Sequence, residues 1–577
     1  MDAREVAAVL KEIGTIHDIR GENPFKSRSY MNAARTVEGI GADLEAVVRG
    51  GTLREYKGIG EALAKKITEL VTTGALDYYE KLRASIPAGL LEMTRIPGMG
   101  PKKIKAVHDK LDLSTIGELE YACKENRLVV LEGFGAKSQQ KILDGIELLK
   151  RFQDKHLYST AAAQAAGLME ALESLGPRLI TRISVAGSLR RRKEVIKDID
   201  IVASSPRPAK VMDFFTSHDR VEAVSAKGET KSSVRLASGI NSDLRIVPDD
   251  QFPYALMYLT GSKEHSVAVR TRAKAKIYKI NEYGLFRGKR SIKCKDEAAI
   301  YKKIGLAYIP PELREEMGEI EAAEKGELPA LVEESDIRGI LHVHTTHSDG
   351  VNTIEQMAKG AKDLGAEYVG IAEHSRSAQY ANGLSPEGVK RQQDEIDALN
   401  KTLKGIRILK GIEVDILPDG KLDYPNKLLA TFDFVIAAVH SRFTMSEADM
   451  TKRILAAMRN PHVTMLAHPT GRLLLSREAY PVDMPRIIEE AARLGVVLEI
   501  NANPHRLDLD WRLCKVAKEK GVMLAINPDA HRVEGLDHVR YGVGIARKGW
   551  LEPADILNTR PLGEFMDLLK ARRSKAG

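Results

Sequence analysis

Apolar and polar positions follow three rhythms along the chain. Up to about residue 150 the pattern is helical, interrupted by short polar breaks. Leu168 to Leu175 continues it as an amphipathic helix. The period then shortens to two. In Asp198-Ile199-Asp200-Ile201-Val202 the apolar residues suit a pleated, half-buried strand, and Asp198 and Asp200 share one face. Asn241 to Val247 alternates in the same way, carrying Asp243 ahead of Pro248. Residues 317–336 are Glu-rich, contain Pro329, and are expected to form an extended or partly helical linker. From 337 onward short apolar strands alternate with helices, the rhythm of an α/β barrel. The expected fold class is multidomain, α+β and α/β. Its segments are helical regions at 1–80 and 81–150, a core at 151–316, the linker at 317–336 and the barrel at 337–577.

Two carboxylates on one strand face, at roughly 4 Å, repel by about 4 kcal/mol at an effective dielectric near 20. A divalent cation turns that repulsion into a site, and hard oxygen ligands favour magnesium or manganese beside phosphates. Upstream lies Gly187-Ser188, where glycine permits close approach to a phosphate and serine can donate to it. Arg190, Arg191 and Arg192 add charge for a triphosphate. A solvated strand beside a basic turn is the plain alternative.

The helical region contains three G-x-G turns, Gly58/Gly60, Gly98/Gly100 and Gly133/Gly135, each opening a helix with lysines in its first turns. Both glycines of each pair are expected to permit the tight turn. Such turns present free helical N–H groups to phosphate and grip a nucleic-acid backbone without reading bases. In the barrel region, the strand ends carry His342, His344, Asp349, His374, Glu413, His440, His468, Asp529 and His531. Imidazole with carboxylate suits zinc or manganese, and bridging carboxylates allow a cluster. His347 competes with Asp349 for one of these places. Gly471, Arg472, Asn501, His505 and Arg506 are candidates for holding a phosphate nearby.

With 577 residues, 43% of them hydrophobic, the chain can bury several cores. A net charge of +8 is compatible with a polyanionic partner. Cys123, Cys294 and Cys514 lie far apart, with neither metal spacing nor a disulfide framework, which suits a reducing cytoplasm. The first residues lack the apolar run of a signal peptide. No stretch reaches the roughly 20 apolar residues that span a bilayer, so no membrane partner is expected.

The motifs together carry a resemblance. Gly187-Ser188 followed by Asp198-Ile199-Asp200 and Asp243 resembles the nucleotidyltransferase pattern of the DNA polymerase beta superfamily. Met257-Tyr258-Leu259-Thr260-Gly261-Ser262 is similar to its Y-F-T-G-S element, although Ser266 stands where that superfamily's type member has Asn. The glycine turns resemble helix-hairpin-helix motifs, and Asn23 to Arg35 resembles the N-terminal lyase domain. The His and acid array resembles the PHP (polymerase and histidinol phosphatase) domain. The whole chain is similar to bacterial and archaeal family X DNA polymerases.

The resemblance implies a gap-filling repair polymerase, acting as a monomer on gapped or nicked DNA with dNTPs. Asp198 and Asp200 would bind two magnesium or manganese ions, and Asp243 the catalytic one. Gly187, Ser188 and Arg191 would hold the triphosphate, and Tyr258 and Gly261 would lie against the nucleotide's sugar. Lys66 would be a Schiff-base lysine and Lys26 a 5′-phosphate ligand, unless the lysines only bind phosphate. The PHP site would hold up to three manganese or zinc ions and cleave DNA 3′ to 5′, with abasic-endonuclease or 3′-phosphatase activity as further expectations. The basic run Arg270, Arg272, Lys274, Lys276 and Lys279 is a template contact or a solvated helix. A phosphatase of small molecules and a non-catalytic DNA scaffold are the rival readings.

Overall fold

The computed structural model describes every residue except 41–43, 125–126, 129–130, 153 and 577, and the side chains of 150–152, 380 and 571–576 are likewise left undescribed. The chain forms two compact units, Met1–Gln153 and Asp154–Gly577.

The first unit is helical and holds two apolar clusters. Val6, Leu10, Ile13 and Ile67 belong to one, and Leu90, Ile104, Leu119 and Ile142 to the other. The G-x-G turns open α1 (Glu61–Thr73), α2 (Pro101–Leu111) and α3 (Ala136–Phe152). In each, the first glycine is left-handed, with φ of +90° at Gly58, +87° at Gly98 and +82° at Gly133. The intervening residue, Ile59, Met99 or Phe134, is buried. One apolar side chain thus pins each turn from below, while the helix N-terminus stays outward.

The second glycine of each pair departs from the expectation. Gly60 and Gly100 are extended caps with φ of −82° and −80°, and Gly135 is not among the left-handed glycines. A Cβ on Gly60, Gly100 or Gly135 would meet nothing within 4 Å, so neither turn geometry nor crowding demands glycine there. Their backbone does the structural work. The carbonyls of Gly60, Gly100 and Gly135 accept from the N–H groups of Ala64, Ile104 and Gln139 at 2.9, 3.0 and 3.0 Å, starting each helix. All three are exposed, and having no side chain they leave the following N–H groups uncovered.

The second unit begins with a five-stranded sheet. Its strands are β1 (Arg182–Val185), β2 (Asp198–Ser204), β3 (Val221–Lys227), β4 (Lys231–Leu236) and β5 (Asn241–Val247), in spatial order β1-β2-β5-β4-β3. β2 and β5 are parallel, and the other pairs antiparallel. Ile199, Ile201, Leu244 and Ile246 face the core, and the helix Tyr158–Glu173 packs there through Ala161, Ala165, Leu168 and Leu172. This helix is longer than the stretch its apolar stripe marks. Next come α4 (Phe252–Thr260), α5 (Lys263–Ala275) and a small antiparallel sheet within 279–292.

The segment expected to be a linker is instead packed. It contains α6 (Glu319–Lys325), whose buried Glu319 meets Nδ1 of His265 at 2.6 Å. Val332 enters the core of the following barrel. A short apolar residue and a partnered acid suffice to dock a Glu-rich stretch, which composition does not disclose.

The barrel has seven parallel strands in chain order: β6 (Gly339–Val343), β7 (Tyr368–His374), β8 (Arg407–Asp415), β9 (Phe434–Ala438), β10 (Met465–Leu466), β11 (Val497–Asn501) and β12 (Leu524–Asn527). Both faces are covered, which explains continuous apolar runs in place of alternation. Its seam, between β6 and β12, is closed at one end by a bridge between Val343 and Ala530. At the other end the Asn558 carboxamide donates to the carbonyls of Gly339 and Ile526 and accepts from the Ile526 N–H. Helix α7 (Val539–Lys548) follows β12.

Candidate active sites

β2 presents Asp198 and Asp200 on the face opposite Ile199 and Ile201, and its register sets Asp200 beside Asp243 on β5. Burial, then Asp198, then Asp243 raise the Asp200 carboxyl to about 6. Lys231 lies 2.7 Å from Asp243 and supplies part of the missing positive charge. Gly187 (φ +60°) starts the short helix Gly187–Arg190, and a Cβ there would collide with the Asp200 carboxylate. The Ala186 N–H donates to the Asp200 carbonyl at 2.8 Å, which ties the turn to the strand. Ser188 is half-buried beside it.

Arg191 donates through Nε to Glu315 at 3.0 Å and through Nη1 to the Thr260 carbonyl. A Cβ on Gly261 would lie 3.2 Å from that Nη1, so glycine there makes room for the guanidinium. Tyr258, one turn back on α4, is 44% exposed. Arg190 points elsewhere, into Glu297 at 2.6 Å. Of the basic run on α5 and after it, Arg272 is held by Glu324 and the Ile304 carbonyl.

In the barrel, His342, His344, Asp349, His374, Glu413, His440, His468, Asp529 and His531 converge at the carboxyl ends of the strands. Glu413 is the hub: it lies 2.8 Å from His374, 3.1 Å from His468, 3.2 Å from His440 and 3.3 Å from His342. Three groups have metal-sized spacing: His344, Asp349, His374 and His531; His342, His344 and Asp529; His374, Glu413 and His440. Burial opposes the charge on Glu413, but His440, His342 and His374 outweigh it and hold the carboxyl well below its ordinary range. His344 is pushed down to about 3 by burial and by His531 and His374, so its imidazole stays neutral, the form that could ligate a cation. Nε2 of His342, both ring nitrogens of His344 and Oε2 of Glu413 are buried and make no well-aligned hydrogen bond among the described residues, although other ligand candidates crowd within 4 Å of them. Such orphans fit cations as the missing partners.

His342, His468 and Asp529 adopt φ of +59°, +27° and +51°. Each such conformation costs of order 1–3 kcal/mol and clusters at functional sites. His347 turns away to Glu395, at 2.8 Å, whereas Asp349 lies 3.4 Å from His531. Arg472 is locked by Asp510, Leu507 and Arg506 and is not free for a phosphate. Gly471 packs under Tyr480, and the His505 carbonyl accepts from Leu474. Arg506 remains at the mouth, 3.6 Å from Asp529.

In the first unit, Lys66 donates to the Tyr30 hydroxyl and lies 3.4 Å from the centre of the Tyr78 ring. Burial, then Lys26, lower its pKa. Lys26 pairs with Glu22 at 3.1 Å.

Comparison with known proteins gives these parts names. A helix-hairpin-helix domain model matches residues 1–76, a SAM-like helix-hairpin-helix tandem 90–147, a DNA polymerase beta thumb 255–315 and a PHP domain 341–503. A DNA polymerase/3′-5′ exonuclease PolX of Bacillus subtilis is 38% identical over 574 residues, 99% of this chain and 100% of that one. The chain belongs to the PHP-containing family X DNA polymerases.

A probable phosphatase of Thermoanaerobacter sp. is 28% identical over 247 residues, covering 41% of this family X polymerase and 96% of the phosphatase. Another, of Acetivibrio thermocellus, is 30% identical over 164 residues, 28% of this chain and 63% of that one. In this family X polymerase, Asp529 and His531 lie past the matched PHP stretch, and the barrel seam brings them in.

Orienting residues escape a motif reading. Glu499 holds Nδ1 of His342 at 2.6 Å, and Asp415 holds Nδ1 of His440 at 2.5 Å. Each turns the ring's other nitrogen toward the cluster. Glu373 is different, since the strand-end array of His and acids already marks it; buried, it accepts from Thr345 and Ser348, bracing the turn that carries Asp349. Asp415 had one signal, since it shares a strand face with Glu413.

Proposed function

We propose that this chain is a DNA-directed DNA polymerase that fills short gaps during base excision repair, with a second, phosphoester-cleaving site in its PHP domain. The observation that carries the polymerase reading is the register of Asp200 with Asp243, beside a glycine that must lack a Cβ. Asp198, Asp200 and Asp243 would hold magnesium or manganese. Divalent cations held there lower the pKa of a primer 3′ hydroxyl and neutralise triphosphate oxygens. The chain's own part is placement. Gly187 and Ser188 bring backbone and hydroxyl to the phosphates, and Arg191 adds a fixed guanidinium with Nη2 uncommitted among the described residues. Gly261 and Tyr258 border the nucleotide's sugar.

The PHP cluster would hold up to three manganese or zinc ions through the nine residues named above. It is proposed to cleave DNA 3′ to 5′, with Arg506 holding the scissile phosphate. The probable phosphatases matched by the barrel support 3′-phosphatase activity as well. Abasic-endonuclease activity would draw on the same site. The helix-hairpin-helix turns bind the backbone of gapped DNA. Gly58, Gly98 and Gly133 shape these turns, while Gly60, Gly100 and Gly135 give phosphate a bare approach to the helix N–H groups. Lys66, its amine made more readily neutral by burial, is proposed to attack the aldehyde of a 5′ abasic remnant, with Lys26 on the 5′ phosphate.

The decisive experiment is gap filling by Asp200→Ala on a gapped duplex with dNTPs. Incorporation should vanish while DNA binding persists; retained synthesis would sink the assignment. For the lyase, borohydride should trap the wild type on abasic DNA but not Lys66→Ala.

A further inference from the structure

The turn that carries Arg191 is gripped from behind by the barrel domain. Lys548, at the end of α7, is 1% exposed. Its ammonium donates to the Arg191 carbonyl at 3.0 Å and to Glu315 at 2.5 Å. Glu315 receives two more cations, Arg191 Nε at 3.0 Å and Lys193 Nζ at 3.1 Å. Both lysines also lie near the Trp511 ring, at 5.0 Å for Lys193 and 4.7 Å for Lys548. Arg547, the preceding residue, holds Glu312 at 2.8 Å, and Arg192 reaches the same carboxylate at 3.8 Å. A Cβ on Gly544 would stand 3.0 Å from Arg192, so α7 runs tightly along the turn.

A lysine this deeply buried must have its charge matched. The match is Glu315, the carboxylate that also fixes Arg191. Arg191 carries five N–H donors in a rigid fork. Glu315 takes Nε and Thr260 takes one donor of Nη1, which sets the plane of the fork and leaves Nη2 uncommitted among the described residues. Lys548 holds both ends of this arrangement, the backbone carbonyl of Arg191 and the carboxylate on its side chain.

We propose that Lys548 of the PHP domain is a positioning residue for nucleotide binding in the polymerase domain, acting on Arg191 through Glu315. The nuclease-bearing barrel is then a structural part of the synthetic site. This rests on the nucleotidyl-transfer reading of the palm.

The test is single-nucleotide gap filling by the full chain, with dNTP concentration varied. For Lys548→Met the nucleotide KM should rise about tenfold, with kcat within about twofold of wild type. Gapped-DNA affinity and 3′ nuclease rate should not change. Lys548→Arg should recover most of the affinity. Glu315→Gln should raise KM in the same direction, and adding Lys548→Met to it should raise KM no further, since both act through one guanidinium. If Lys548→Met does not fold, Lys548→Gln, with a neutral donor, makes the same comparison. An unchanged KM in a folded variant would overturn the proposal, as would a parallel loss of synthesis and nuclease activity with a lowered melting temperature. A wild-type chain unable to fill gaps would sink the palm reading itself; an active wild type matched by Lys548→Met would sink only the positioning role.

Discussion

Asp200 joins function and stability in one side chain. Its folded-state pKa, about 6, lies above the ordinary value of 3.8. The folded chain therefore holds this proton more tightly than the unfolded chain does. Stability without cations is greatest below the ordinary value, falls as pH rises toward 6, and stays lower beyond it. The penalty is on the order of 1–3 kcal/mol. Asp200→Asn should therefore melt higher than wild type at pH 8 in chelator, while losing nucleotide incorporation. A lower melting temperature would contradict the repulsion argument. Gly187→Ala should fold yet lose about 100-fold in incorporation, because its methyl displaces the Asp200 carboxylate. The choice between His347 and Asp349 is also a residue-scale question. Sequence distance left it open because both sit on one turn, and their partners, Glu395 for His347 and His531 for Asp349, favour Asp349 as the ligand. Asp349→Ala should abolish 3′ nuclease activity and His347→Ala should leave it near wild type.

At the scale of the element, periodicity was legible. Alternation puts Asp198 and Asp200 on one face, and the same period around Asp243 supplies the neighbouring strand. Strand ends marked the imidazole array, because long apolar runs stop where the ligand candidates begin. Orientation within the array was not legible. Glu499 sits on β11, far along the chain from His342, and no local pattern joins them. Likewise Lys548 reads as one more lysine at a helix end until its burial is known. The docking of 317–336 was hidden for the same reason: Glu319 matters through His265, not through its neighbours. A direct consequence concerns the orienting carboxylates. Glu499→Gln and Asp415→Asn should each weaken manganese binding by about 10–100-fold, read by titrating metal against nuclease activity, with polymerisation intact. Wild-type metal dependence in both would show that those contacts do not orient the rings.

For the whole molecule, three glycine turns that face outward predict DNA binding dominated by phosphates. Affinity for a gapped duplex should fall steeply and linearly on a log–log salt plot; a flat plot would count against that mode. The barrel rim gathers Glu413, Asp529 and Asp349, the first two buried, so cations should stabilise the fold. At a concentration of about 100 times the dissociation constant the gain is about 2.7 kcal/mol, measurable as a melting shift on chelation.

The Asn558 carboxamide has a wider meaning in this light. It stitches the first barrel strand to the last, and those two strands lead to His342, His344, Asp529 and His531. A protease nick ahead of residue 558 would leave every one of these four in the chain. It would nonetheless free one end of the wall they stand on, leaving the Val343–Ala530 bridge to hold the other, so the tail works as one clasp of a ring whose stones are set elsewhere.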